Sequence, residues 1–275
     1  MSALEPVHER RTTPPAAGGR DLLLWEVRDR FPARRTASVD VSLVAPVFEE
    51  EANLERLHAR VVEIFGMRTA WELVLVDDGS KDRSAQLIRD LARRDPRVIG
   101  VFFGRNRGQT AATAAGVHLA RGRLIATLDA DLQNDPADLP KMIELIEGHD
   151  AVVGWRMKRR DTFIRRISSK IANGIRNWIS KDSIRDTGCS LKVFRAEAIQ
   201  AIPLFEGMHR FLPTLMRYHG FSVIEHGVNH HPRTAGISKY GVWNRAFRAL
   251  KDLFAVRWMR ARLLRLPIQE VTDAR

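Results

Sequence analysis

Between Val39 and Val153 the chain alternates short apolar runs with amphipathic segments, and this alternation constrains the fold more than any other feature. Val41 to Pro46 reads as a buried strand, with a helix predicted over Glu51 to Phe65. Trp71 to Val76 and Arg83 to Arg93 repeat the pair, as do Val98 to Phe103 with Gln109 to Ala120. Leu124 to Leu128 precedes a helix predicted over Ala137 to Glu147, and Ala151 to Val153 makes a fifth strand. Strands apolar on both faces that alternate with helices belong in a mostly parallel sheet covered on both sides. The expected class is α/β, and ligands in such sheets bind beyond the carboxyl ends of the strands, where strand order reverses.

Lys and Arg total 45 against 33 Asp and Glu, a formal net charge of +12 that calls for an anionic partner. Cys189 is the only cysteine, which excludes an intramolecular disulfide and suits a reducing compartment. No apolar run approaches the ~18–20 residues that span a bilayer, and Leu22 to Trp25 is too short for a signal-peptide core. The expectation is a cytoplasmic protein, free or peripheral at the inner membrane face. Residues 1–38, rich in Pro, Arg, Ala and Gly, read as a mostly disordered tail, 39–240 as one catalytic domain, and 241–275 as a basic amphipathic helix and tail.

The acidic groups fall after predicted strands. Asp129-Ala130-Asp131 follows the fourth, and its spacing lets two carboxylates approach one hard cation, magnesium or manganese, while other positions stay open for phosphate and water. Gln133 and Asn134 add neutral oxygens nearby. Taken alone, Asp-x-Asp is more often a solvated turn. Asp77-Asp78-Gly79-Ser80 follows the second strand; Gly79 permits a turn, Ser80 or Asp82 caps the next helix, and the second carboxylate is placed for a base or ribose. Gly104 to Gln109 enters a helix of small residues, where a basic N-terminus suits a phosphate, although neither a Walker nor a dinucleotide glycine pattern is present.

Together these stretches resemble family 2 glycosyltransferases, specifically the dolichol-phosphate mannose synthase and bacterial polyprenyl-phosphate branch. The carriers, from about Val41 to Tyr240, are Pro46 to Glu51, Asp77 to Asp82, Asn106-Arg107-Gly108, Asp129 to Gln133, Val153 to Arg156, Asp186 to Cys189 and Arg233 to Tyr240. The resemblance implies a Rossmann-like nucleotide-diphospho-sugar transferase fold of GT-A type. It also implies a nucleotide-diphosphate-sugar donor, a polyprenyl-phosphate acceptor and inversion in one displacement. By similarity, Pro46, Phe48, Glu50, Asp77, Asp78, Asn106 and Gly108 would line the nucleotide-sugar site together with Ala130. Asp129, Asp131 and Gln133 would serve the metal and diphosphate, and Arg156, Arg233, Ser238 and Lys239 the donor and acceptor phosphates. Asp129, Asp131, Arg156 and Arg233 are thus the catalytic candidates. A phosphate acceptor is already an anion and needs no general base. Phe48-Glu49 stands where the family usually has Tyr-Asn, which alters the base contacts, and the two C-terminal transmembrane helices of many bacterial members have no counterpart in the sequence.

Two basic amphipathic segments complete the pattern. Ile164, Ile167, Ile171, Ile175 and Trp178 recur at helical spacing beside Arg165, Arg166, Lys170 and Arg176. Between Val242 and Leu266, Trp243, Phe247, Leu250, Phe254 and Trp258 are predicted to form one face among seven Lys and Arg, suited either to an anionic membrane surface or to docking on the domain. His226, His230 and His231 have no Cys or carboxylate to complete a zinc set, and Cys189 reads as a small buried side chain. A glycolipid or saccharide acceptor remains the near alternative. A nucleic-acid-binding protein would require an aromatic-basic motif or recognition helix and would leave the acidic turns unexplained, so no nucleic acid is expected. A homo-oligomer is compatible with the sequence.

Overall fold

The five apolar runs become strands of one seven-stranded sheet in the computed structural model. It describes residues 39–66, 69–157, 182–203, 205–231 and 242–263, with backbone alone over 242–250. The strands are β1 (Val39–Val47), β2 (Trp71–Asp77), β3 (Val98–Phe102), β4 (Gly122–Thr127) and β5 (Ala151–Arg156), joined by two further strands, β6 (Lys192–Arg195) and β7 (Val223–Val228). Their order is β3-β2-β1-β4-β6-β5-β7. Only β6 opposes its neighbours, pairing antiparallel with both β4 and β5. The chain builds outward from β1 through β2 to β3, then returns to lay β4 along the other edge of β1. That reversal is the switch point, with the carboxyl ends of β1 and β4 on either side.

The helices are α1 (Leu54–Phe65), α2 (Ser84–Arg94), α3 (Gln109–Leu119), α4 (Leu139–Glu144), α5 (Ala196–Ala201), α6 (Leu212–Tyr218) and α7 (Val242–Ala261). α1 starts at Leu54, three residues later than the apolar period predicts, and the backbone N–H groups of Glu49, Glu50 and Glu51 ahead of it donate to Ser80, Ser84 and Asp82. α4 is shorter than predicted, and a 3₁₀ turn over Pro136–Asp138 precedes it.

Side chains alternate between two apolar layers, as period-2 strands require. Val41, Leu43 and Ala45 meet α1, α2 and α4 on one face. Val44, Val74 and Val76 meet α3, α5, α6 and the Leu253–Val256 part of α7 on the other. The small residues of α3 let it lie close on the sheet: a Cβ at Gly116 would come within 2.3 Å of Val44 Cγ1. The N-terminal tail, the helix predicted around Ile164 to Trp178, and Arg233, Ser238 and Lys239 lie outside the described residues.

Candidate active site

A cavity of about 590 Å³ opens beyond the carboxyl ends of the first three strands. Phe48 follows β1, Asp77 ends β2, Phe102 and Phe103 close β3, and Gly104 to Asn106 form one wall. Arg89 from α2 lies 4.3 Å over the Phe102 ring at the rim. Asp77 is buried, and its Oδ1 has no hydrogen-bond partner among the described residues. A buried carboxylate oxygen without a donor is costly, so a ligand N–H or O–H is the natural partner. The volume is in the range of small-molecule sites.

Side chains rather than regular structure hold the cavity walls. Both Asp78 oxygens accept backbone N–H groups, from Arg107 at 2.6 Å and Gly108 at 2.8 Å. Burial raises the Asp78 carboxyl above its ordinary range, and these two bonds oppose the shift. Gly79 adopts φ +71°, and a Cβ there would meet the Arg105 and Asn106 backbone at 2.6–2.9 Å. The 104–108 loop can therefore lie flush on the Asp78-Gly79 turn. Ser80 anchors Glu49, while Asp82 accepts the Ser84 N–H and starts α2. The Glu50 carboxylate accepts the Asn53 side-chain amide at 2.7 Å. Pro46, the penultimate residue of β1, pairs with Val76 and sets Phe48 at the opening.

Asp129 and Asp131 lie just past β4 at the switch point. Asp131 is buried, while Asp129 is partly exposed and accepts the Gln109 side-chain amide at 3.0 Å. Burial, and next the Asp131 charge, push the Asp129 carboxyl upward; a Ser190 hydroxyl bond and the Lys192 and Arg156 charges only partly offset this. A carboxylate whose ionisation burial and a neighbouring carboxylate oppose fits a divalent cation. Among the described residues no three His, Cys, Asp or Glu converge on one point, so the pair would leave the remaining positions to substrate oxygens and water. The Gln133 N–H donates to Asp131 Oδ1, and its carbonyl accepts the His231 N–H at 2.7 Å. Leu132 between them has φ +57°; with Glu49 at φ +54° it is one of two non-glycine residues with positive φ among those described. Both strained residues, each worth roughly 1–3 kcal/mol, border the site.

The antiparallel β6 supplies what the motifs did not reveal. Lys192 at its start pairs with Thr127 and Val153, so it enters between the carboxyl ends of β4 and β5. Its ammonium is buried and donates to the Cys189 carbonyl. Burial holds its pKa below the usual lysine range, although Cys189, Asp129 and Asp186 favour the charged form. Arg156 forms a two-point pair with Asp186 at 2.7 and 2.8 Å, which fixes its guanidinium plane. Asn134 donates to the Ser190 hydroxyl at 2.8 Å and bridges to His230, tying the carboxylate turn to the end of β7. Cys189 is buried, as the sequence predicts. Arg89, Ser190 and Lys192 carried no local signal, since each reaches the site through tertiary pairing alone.

The site therefore joins Phe48, Asp77 and Asn106 around one cavity and Asp129, Asp131, Gln133 and Arg156 around a charged centre. Asp78, Gly108 and Glu50 lie in the supporting loops.

The chain matches the family described as Glycosyl transferase family 2 over residues 42–202. It is 42% identical over 226 residues to a dodecaprenyl-phosphate galacturonate synthase of Rhizobium johnstonii, covering 80% of this chain and 67% of that one. It is 39% identical over 205 residues to an undecaprenyl-phosphate 4-deoxy-4-formamido-L-arabinose transferase of Edwardsiella ictaluri, covering 74% of this chain and 63% of the relative. The match thus spans about two thirds of these relatives' length. The fold is similar to a glucosyl-3-phosphoglycerate synthase of Mycobacterium tuberculosis solved with Mn²⁺, UDP and glucosyl-3-phosphoglycerate. That likeness has a TM-score of 0.62 at 14% identity and covers 91% of this chain and 88% of the other. A mannosyltransferase of Pyrobaculum calidifontis solved with GDP-Man and Mn²⁺ gives 0.58 at 19% identity, covering 89% and 72%. These likenesses show a GT-A type fold, and with the matched family they establish that the chain belongs to the family 2 glycosyltransferases.

Proposed function

We propose that this enzyme transfers a sugar from a nucleotide diphosphate to a polyprenyl phosphate, with inversion, at the cytoplasmic face of a membrane. The observation that carries the reading is the Asp129–Asp131 pair at the β1/β4 switch point, between the Asp77 cavity and Arg156. Two relatives named for dodecaprenyl-phosphate and undecaprenyl-phosphate chemistry support the acceptor class.

In this reading the base enters the Phe48–Phe103 cavity, where Asp77 Oδ1 accepts a base N–H and Asn106 borders the opening. The diphosphate then extends toward Asp129, Asp131 and Gln133. Asp129 and Asp131, with Gln133 beside them, would hold magnesium or manganese, which would supply positive charge to offset the negative charge developing on the departing nucleotide. Arg156, its plane set by Asp186, presents a cation to phosphate, and Arg233, Ser238 and Lys239 are assigned to the same task from outside the described residues. An acceptor phosphate oxygen forms the new bond to the anomeric carbon as the bond to the diphosphate breaks, and the electron pair leaves with the nucleotide. No base is required, because the nucleophile is already ionised.

A panel of nucleotide sugars offered with Mg²⁺ or Mn²⁺ and undecaprenyl phosphate tests the reading. The expected result is nucleotide diphosphate released in step with a lipid-linked sugar. Transfer to a saccharide or an uncharged glycolipid, with none to the lipid phosphate, would replace the acceptor assignment.

A further inference from the structure

The outer face of α7 is unlike the rest of the described surface. Leu253 and Val256 are buried against the second apolar layer, and Met259 packs beside them. Phe254 and Trp258 are 56% and 63% exposed, the two most exposed large apolar side chains among the described residues. They are four residues apart and so lie on one stripe of the helix, which Lys251 and Arg262 continue at either end at spacings of three and four. Lys251 and Arg262 are exposed, as is Arg257. Of the face predicted from Trp243, Phe247, Leu250, Phe254 and Trp258, the last two point outward, while Leu253 and Val256 turn inward. The side chains of Trp243, Phe247 and Leu250 lie outside the described residues.

Water gives no reason to display two aromatic rings bracketed by cations, whereas an anionic bilayer does: rings enter the headgroup boundary while Lys and Arg meet lipid phosphates. The helix is also held firmly. Asp252, one residue from the buried Leu253, packs over Gly207, where a Cβ would come within 2.4 Å of its carboxylate. The Gly207 N–H donates to Thr110 Oγ1, which lies 2.7 Å from His209 Nδ1. Thr110 adjoins Gln109, whose amide holds Asp129. A continuous set of contacts therefore fixes this outer stripe relative to the carboxylate turn.

We infer that the Lys251–Phe254–Trp258–Arg262 stripe is a docking surface for an anionic lipid bilayer, seating the enzyme with its charged centre in a fixed orientation to the membrane. The inference extends the proposed function by naming the surface that meets the lipid phase. Because both rings are exposed, the Phe254→Ala/Trp258→Ala double variant should fold normally.

The test is co-sedimentation of the wild-type chain and this variant with vesicles of phosphatidylcholine alone or mixed with phosphatidylglycerol. Wild type should partition onto the phosphatidylglycerol vesicles and release at high salt, and the variant should bind them roughly tenfold less. Lys251→Glu/Arg262→Glu should lose the phosphatidylglycerol preference. Transfer to undecaprenyl phosphate embedded in the vesicles should fall with binding, while transfer to a short water-soluble prenyl phosphate stays within twofold. Equal vesicle binding by wild type and the aromatic variant would overturn the inference. So would a wild-type dimer that ignores vesicles and becomes monomeric in the variant, which would give the stripe to a second copy. If neither protein transfers sugar to any acceptor, the proposed function fails, and the partition data still decide the role of the stripe.

Discussion

Asp129 sits where burial and a neighbouring carboxylate both resist its ionisation. Its folded-state pKa lies above the unfolded value, so ionised Asp129 costs stability. That cost is absent below the unfolded value, grows as pH rises through the folded value, and is complete above it. A divalent cation offsets it, so the rise in Tm produced by Mn²⁺ should grow with pH across the same window. A Tm rise independent of pH would contradict the placement. Lys192 is a second lever, because its charge lies near Asp129 and competes with any cation there. Lys192→Met should bind Mn²⁺ about three- to tenfold more tightly at neutral pH, measured by titration calorimetry. Weaker binding would mean that the lysine orders the carboxylates rather than opposing the metal.

At the scale of elements, loops pinned by side chains build the site. Gly79→Ala adds a Cβ into the Arg105-Asn106 backbone at a left-handed φ. It should raise the KM for the nucleotide sugar roughly tenfold with a smaller change in kcat, as steady-state kinetics would show. Gly116→Ala presses instead on Val44 in the core. It should cost about 1–3 kcal/mol and lower the Tm by several degrees, while activity per folded molecule is retained. β1 to β5 were legible because each carries a run of apolar residues between helical segments. β6 and β7 were not: Lys-Val-Phe-Arg and Val-Ile-Glu-His-Gly-Val are short, interrupted by charge, and stabilised by pairing with β4 and β5. Lys192 was hidden with its strand. The aspartates were visible because turns after apolar strands expose them to pattern, whereas the bonds from Asp78 to the 104–108 loop required coordinates.

For the whole molecule, one sheet divides the labour. The ends of β1, β2 and β3 enclose a cavity around Asp77, and those of β4, β5 and the start of β6 gather Asp129, Asp131, Arg156 and Lys192. α7 closes the opposite apolar layer and turns two aromatics outward. No described helix is long and apolar enough to cross a membrane. The Asp129–Asp131 turn is proposed to hold the metal for transfer onto a lipid phosphate. The most direct measurement compares wild type with Asp131→Ala, using the accepted nucleotide sugar, Mn²⁺ and undecaprenyl phosphate, and counts released nucleotide diphosphate and lipid-linked sugar together. Equal yields of both are expected from wild type and a loss of at least ~10³-fold in the variant, with an unchanged circular dichroism spectrum. Undiminished turnover in Asp131→Ala would contradict that role.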